Sequence, residues 1–158
     1  MLRVYVETTV WSFAFADDSP DFRAATLAFL DRCRRGELEA WVSSSVLIEL
    51  GNAEEPLASR LKGLIGDVAA RLLPEMEAVT ALAESFVALR AVPPSKPIDA
   101  RHVAAAYVGG LDVLVSWNFK HIASLRRIER FAAIAALSGY HTPLRIITPL
   151  EALSDGNE

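Results

Sequence analysis

The sequence predicts an α/β fold, a parallel sheet with helices on both faces. Two observations carry that prediction. Short β-branched runs alternate with longer helical patterns along all 158 residues, the signature of successive strand–helix–strand units. One run, LDVLVSW at 111–117, is apolar and of strand length, as expected of a strand buried on both faces. The 52% hydrophobic composition supplies the core such a fold needs.

Residues 3–7, RVYVE, read as a β-branched strand ending in an acid. A helix is expected over 19–35. Ser19 can cap it, Pro20 suits the first helical position, and Asp21 suits the positive end of the dipole. Phe22, Ala25, Phe29 and Cys33 recur at helical spacing, and Arg34-Arg35-Gly36 is a stop signal. Residues 40–44, AWVSS, read as the second strand. A Ser-capped helix follows, with Val46, Leu47, Glu49 and Leu50. Two more helices are expected over 54–68 and 75–91, with Leu72-Leu73 as a short strand between them. VPPSKP at 92–97 is a loop. A helix over 98–107 ends at Gly109-Gly110, and LDVLVSW follows. A helix over 122–137 and a last strand, RIIT at 145–148, complete the pattern. No repeat, low-complexity tract or linker interrupts it. Residues 1–150 therefore read as a single domain, and 151–158 as a polar C-terminal tail.

Composition excludes several classes. High hydrophobicity with modest net charge excludes intrinsic disorder. A single cysteine, Cys33, excludes a disulfide scaffold and a cysteine-rich zinc site. It also fits a reducing cytoplasm. A net charge of -4 excludes a protein that coats nucleic acid by bulk positive charge. It does not exclude a metal-dependent nuclease, whose site must itself be acidic. Glu7, Asp17 and Asp18 break the N-terminal apolar segment, so no signal-peptide core is expected. No stretch reaches the ~18 apolar residues of a membrane span.

Three acids stand in unusual places. Glu7 ends the first strand, Glu49 lies among Val46, Leu47, Ile48 and Leu50, and Asp99 begins an Ala-rich helix. Each has an ordinary explanation: a solvated strand end, the polar stripe of an amphipathic helix, or a first-turn dipole partner. Taken together they gain weight. Open parallel sheets bind ligands beyond the carboxyl ends of their strands, where strand order reverses. Glu7 and Asn118 follow strands, Glu49 starts the helix after a strand, and Asp99 heads the helix leading to the strand before Asn118. Three carboxylates gathered there repel one another unless a cation neutralises them. Oxygen ligands without cysteine favour Mg²⁺ or Mn²⁺.

VYVETTVWSF at the start, SSSVLIEL in the middle and IDARHVAAAYVGGLDVLVSWNFKHI in the second half resemble the PIN-domain family, particularly its VapC-type toxin branch. RIITPLEAL resembles the family's closing strand and turn. The blocks span nearly the whole chain in the family's order, and the long third block is the most specific. The resemblance implies a three-layer α/β/α sandwich with Rossmann-like topology and a Mg²⁺- or Mn²⁺-dependent endoribonuclease. It also implies a cytoplasmic toxin with a cognate antitoxin, and a homodimer. Carried over by position, the metal ligands would be Glu7, Glu49 and Asp99, with Asn118 in the fourth catalytic place. Thr8 or Thr9 would add a hydroxyl near the site. Lys120 and His121 are placed to touch a substrate phosphate.

Two departures from the family pattern matter. Glu7 stands where Asp is usual, and Asn118 where Asp is frequent, with Lys120 where another acid can occur. They motivate an alternative: a catalytically degenerate PIN-like domain that binds RNA or protein without cleavage. A Rossmann-type nucleotide binder is a poorer match, because ETTVW lacks the glycines of a phosphate cradle. His102 lies three residues after Asp99 on the same helix face, where it either reaches a phosphate or packs. Arg126, Arg127 and Arg130 form a basic face that is either an RNA track or a solvated surface. Trp11 and Phe13 are candidates to stack on a base or to pack, and Trp117 is expected to pack.

Overall fold

The computed structural model describes residues 1–154. Five parallel strands form one sheet: β1 (Arg3–Val6), β2 (Glu39–Val42), β3 (Arg71–Leu72), β4 (Val113–Val115) and β5 (Arg145–Ile147). Their order is β3-β2-β1-β4-β5. Eight helices complete the described chain: α1 (Thr8–Phe13), α2 (Pro20–Arg34), α3 (Ser44–Gly51), α4 (Leu57–Val68), α5 (Glu77–Ala88), α6 (Pro97–Val108), α7 (Leu125–Leu137) and α8 (Pro149–Ser154). This is the expected three-layer α/β/α architecture of Rossmann-like kind.

The centre of the sheet is the most buried part. Tyr5 pairs with Trp41 on one side and Leu114 on the other, and Val6 pairs with Val115. All three residues of β4 are buried, which explains why their sequence shows no polar alternation. The outer strand β3 is two residues long and exposed, a short edge of the kind that resists pairing with another chain. The chain leaves β1 towards β2 and β3, then crosses back to β4 and β5. Strand order therefore reverses between β1 and β4, and their C-terminal ends frame the switch-point crevice.

Several elements differ from expectation. Helix α1 was not expected: TTVWSF is short and β-branched, and carries too few residues for a periodic signal. It forms because Glu7 caps it, accepting the Thr9 N–H at 3.0 Å, and because the buried Trp11 indole donates to the Val6 carbonyl. Trp11 is therefore core and cannot stack on a base. Ser19 occupies the cap position of α2, but its side chain makes no capping bond. The helical spacing places Phe22 on the core stripe of α2, but the side chain is partly exposed. It stacks on Trp117 at 4.5 Å, beside Phe13 and Phe119. Helix α5 ends at Ala88, short of the expected 91, where Arg90 takes a left-handed conformation.

The segment expected to be a polar tail from 151 begins inside α8. There Ala152 is buried, and its carbonyl accepts a bond from Arg32 of α2. Residues 155–158 lie outside the described residues. Among those described, no helix is long and apolar enough to cross a membrane.

Candidate active site

Glu7 marks the switch point. It is the first residue past β1, it is 2% exposed, and its backbone N–H donates to Val115 at the end of β4. The solvated strand-end explanation is thereby excluded. Its Oε2 accepts the Thr9 N–H, the Thr9 hydroxyl and the Ser116 hydroxyl. Thr9 Oγ1 in turn accepts the Trp117 N–H, and Ser116 Oγ accepts the Asn118 N–H. Four residues from two strand ends thus hold one carboxylate in place.

A second carboxylate is anchored from the other side of β1. Glu49, on α3, accepts at Oε1 from the Thr8 hydroxyl at 2.6 Å and from His102 Nε2 at 2.5 Å. His102 is fully buried, and its Nδ1 lies 2.6 Å from the Tyr5 hydroxyl, which also meets Ser43 at 2.8 Å. Chemistry fixes two protons along this chain. Burial pushes the Tyr5 hydroxyl far up, and the nearby carboxylates add to it against the Ser43 bond, so Tyr5 stays protonated. A carboxylate only accepts, so His102 Nε2 carries a proton for Glu49. The Nδ1–Tyr5 hydroxyl bond and the Tyr5–Ser43 hydroxyl bond extend the chain inward. Every group in the chain has a partner.

Asp99, in the first turn of α6, is also buried, and its Oδ2 lies 3.2 Å from His121 Nδ1. Asn118 sets that contact. Its Oδ1 accepts the His121 backbone N–H at 2.9 Å, closing the turn that aims the imidazole at Asp99. The expected fourth-place residue therefore acts first as a loop residue. Lys120 is exposed and makes no bond among the described residues.

The two glutamates differ electrostatically. Burial raises the Glu7 carboxyl above the ordinary range and outweighs the His102 charge and the three hydrogen bonds. At Glu49, which is half-buried, burial also raises the carboxyl, but the His102 and Thr8 bonds and the His102 charge together outweigh it. Glu49 is therefore held as a carboxylate, and Glu7 is a carboxylate under strain of desolvation.

One oxygen of each acid has no protein partner among the described residues. Bonds to Glu7 reach only Oε2, those to Glu49 only Oε1, and the His121 contact only Asp99 Oδ2. No buried side-chain polar atom lacks a partner, so Glu7 Oε1 opens to solvent. Three hard oxygens suit Mg²⁺ or Mn²⁺ in chemistry. Among the described residues, however, no three Asp, Glu, His or Cys side chains are gathered into a group that would hold an ion as they stand. Coordination would require the partnerless oxygens to converge.

Sequence reasoning overlooked Tyr5, Ser43 and Ser116. The period of two along a strand puts Tyr5 on the same face as Glu7, which was the available signal. Ser43 and Ser116 gave none. His102 resolves to the packed alternative, as the buried partner of Glu49.

Glu7→Gln is expected to raise the Tm by several degrees at neutral pH in metal-free buffer. The folded carboxyl holds its proton to higher pH than the unfolded one. The parent therefore loses stability as pH rises from the ordinary carboxylate range through the raised value. A glutamine there keeps an acceptor for the three donors and removes that loss. Thermal melts across pH check it; a lower Tm for the variant at every pH would show that the charge is not costly.

No protein-family model matches the chain, and no curated protein matches it.

Proposed function

We propose that the protein is a divalent-metal-dependent endoribonuclease of the PIN-domain kind, the toxin of a toxin–antitoxin pair acting in the cytoplasm. Its partners would be an RNA substrate, a cognate antitoxin and a second copy of the chain. The observation that carries the reading is Glu7: a buried, cap-forming carboxylate at the switch point, with one oxygen left without a protein partner among the described residues and Glu49 and Asp99 on other elements of the same sheet edge. A carboxylate desolvated at that cost invites a charged ligand. The sequence resemblance adds the substrate class.

Glu7, Glu49 and Asp99 would hold the ion through Oε1, Oε2 and Oδ1. When bound, Mg²⁺ or Mn²⁺ supplies charge stabilisation at the scissile phosphate. The remaining work falls to the chain. Thr9 and Ser116 fix Glu7, and His102 and Thr8 fix Glu49, so little reorganisation accompanies reaction. A carboxylate of the site would take a proton from the attacking water. Water attack on phosphorus, with departure of the 3′-oxygen, leaves a 5′-phosphate and a 3′-hydroxyl. Lys120, exposed beside Asn118, would steady a flanking phosphate. His121 serves Asp99 before it serves the substrate.

A second reading is favoured by two observations: the acids are not gathered, and the Asn118 carbonyl is taken by its own turn. In it, the domain binds RNA or protein and does not cut. Single-turnover incubation of labelled RNA with purified protein across Mn²⁺ and Mg²⁺ titrations separates the two. Cleavage that rises with metal and stops with EDTA is expected. RNA retained intact at every metal concentration would establish the non-cutting domain instead.

A further inference from the structure

Four arginines surround one depression of ≈ 210 Å³: Arg90 just past α5, and Arg126, Arg127 and Arg130 on α7. We propose that this depression is a phosphate subsite for the RNA backbone, flanking the carboxylate crevice. The proposal rests on RNA being the substrate and adds where, outside the acids, the strand is gripped.

The charge balance is the first argument. Most of the other arginines have an acid: Arg34 and Arg35 meet Asp31, Arg32 meets Glu37, and Arg101 meets Glu75. Among the described residues, none of the four around the depression has a carboxylate partner. Glu129 lies on the same helix and bonds to none of them. Arg127 donates to the Ala91 carbonyl at 2.7 Å, and Arg130 reaches towards the Arg90 carbonyl at 3.5 Å. Those bonds hold two guanidinium groups over the end of α5 without neutralising either. Arg90 and Arg126 have no such anchor. Four cations sharing one hollow repel one another unless an anion joins them. Arginine suits phosphate because its planar fork donates in pairs.

The position is the second argument. Helix α7 leaves from the C-terminal end of β4, the edge that carries Glu7. His121, whose ring touches Asp99, lies five residues before Arg126. A strand lying in the crevice would therefore have further phosphates near the depression. The chain is acidic overall, so binding must come from such a local patch.

Arg90 supplies a discriminating test. It adopts φ +61°, a conformation that favours glycine. Arg90→Gly should keep or raise the Tm while removing one guanidinium. The measurement is fluorescence anisotropy of a short labelled single-stranded RNA, in EDTA to prevent cleavage, across a salt series. Arg90→Gly and the Arg126→Ala, Arg130→Ala double variant should both weaken binding. The slope of log affinity against log salt should fall by about 0.7 for the single and about 1.4 for the double variant. Arg35→Ala, a paired arginine, should bind as the parent does. Unchanged binding by the variants, or an equal loss in Arg35→Ala, would overturn the subsite and leave the RNA reading standing. A parent that binds no RNA would overturn that reading and the subsite with it.

Discussion

Asp99→Asn is expected to lower metal-dependent RNA cleavage by about 10²-fold or more, the usual cost of removing one charge-stabilising group, with the fold intact. Asp99 is 7% exposed, and its ion-pair partner among the described residues is His121. The amide keeps the shape and still offers an oxygen to the imidazole, but it removes the charge. The carboxylate's interaction with the α6 dipole, about 0.3–1 kcal/mol, is lost, while the cost of burying that charge is relieved. Stability should therefore stay within a few degrees of the parent. The check pairs single-turnover cleavage with a thermal melt of the same preparation. A variant that cuts as fast as the parent would remove Asp99 from the site. A variant that fails to fold would give Asp99 a structural role in its place.

His102→Ala is expected to destabilise the fold by about 3–5 kcal/mol, which for a domain of this size corresponds to a fall in Tm of about 10 °C. The imidazole is fully buried between Tyr5 and Glu49. Truncation opens a cavity and strips Tyr5 of one partner and Glu49 of its His102 donor. Tyr5→Phe removes one link of the same chain and should cost less. The two losses should not add, because each breaks the same Ser43–Tyr5–His102–Glu49 sequence of bonds. Equilibrium denaturation of the single and double variants measures the coupling; strict additivity would mean that the chain does not act as a unit. His102→Ala should also raise the Glu49 carboxyl back towards its ordinary range, because the bonds and charge that lower it come mainly from His102.

Local chemistry determined most of the architecture. The buried run before Asn118, the Pro-initiated helix α2 and the strand–helix alternation each carry a short-range signal, and each became the element expected. The same holds for Glu7 at a strand end and Asp99 in a first helical turn, positions that are legible in one dimension; Glu49 was expected to start its helix but lies in the C-terminal half of α3, whose first residue is Ser44. The missed elements are those whose formation depends on partners distant in the chain. Helix α1 exists because Glu7 caps it and the Trp11 indole finds the Val6 carbonyl, and helix α8 because it docks on α2. Six residues cannot nucleate a helix by propensity alone. Only the tertiary structure decided what the side chains do. His102 packs against Glu49 rather than facing a phosphate. Asn118 closes a turn. Arg90, from a separate helix end, joins Arg126, Arg127 and Arg130 around one hollow. Hydrogen bonds and charge sharing depend on distance in space, and no periodicity in the sequence encodes which distant residue will stand within about 3 Å.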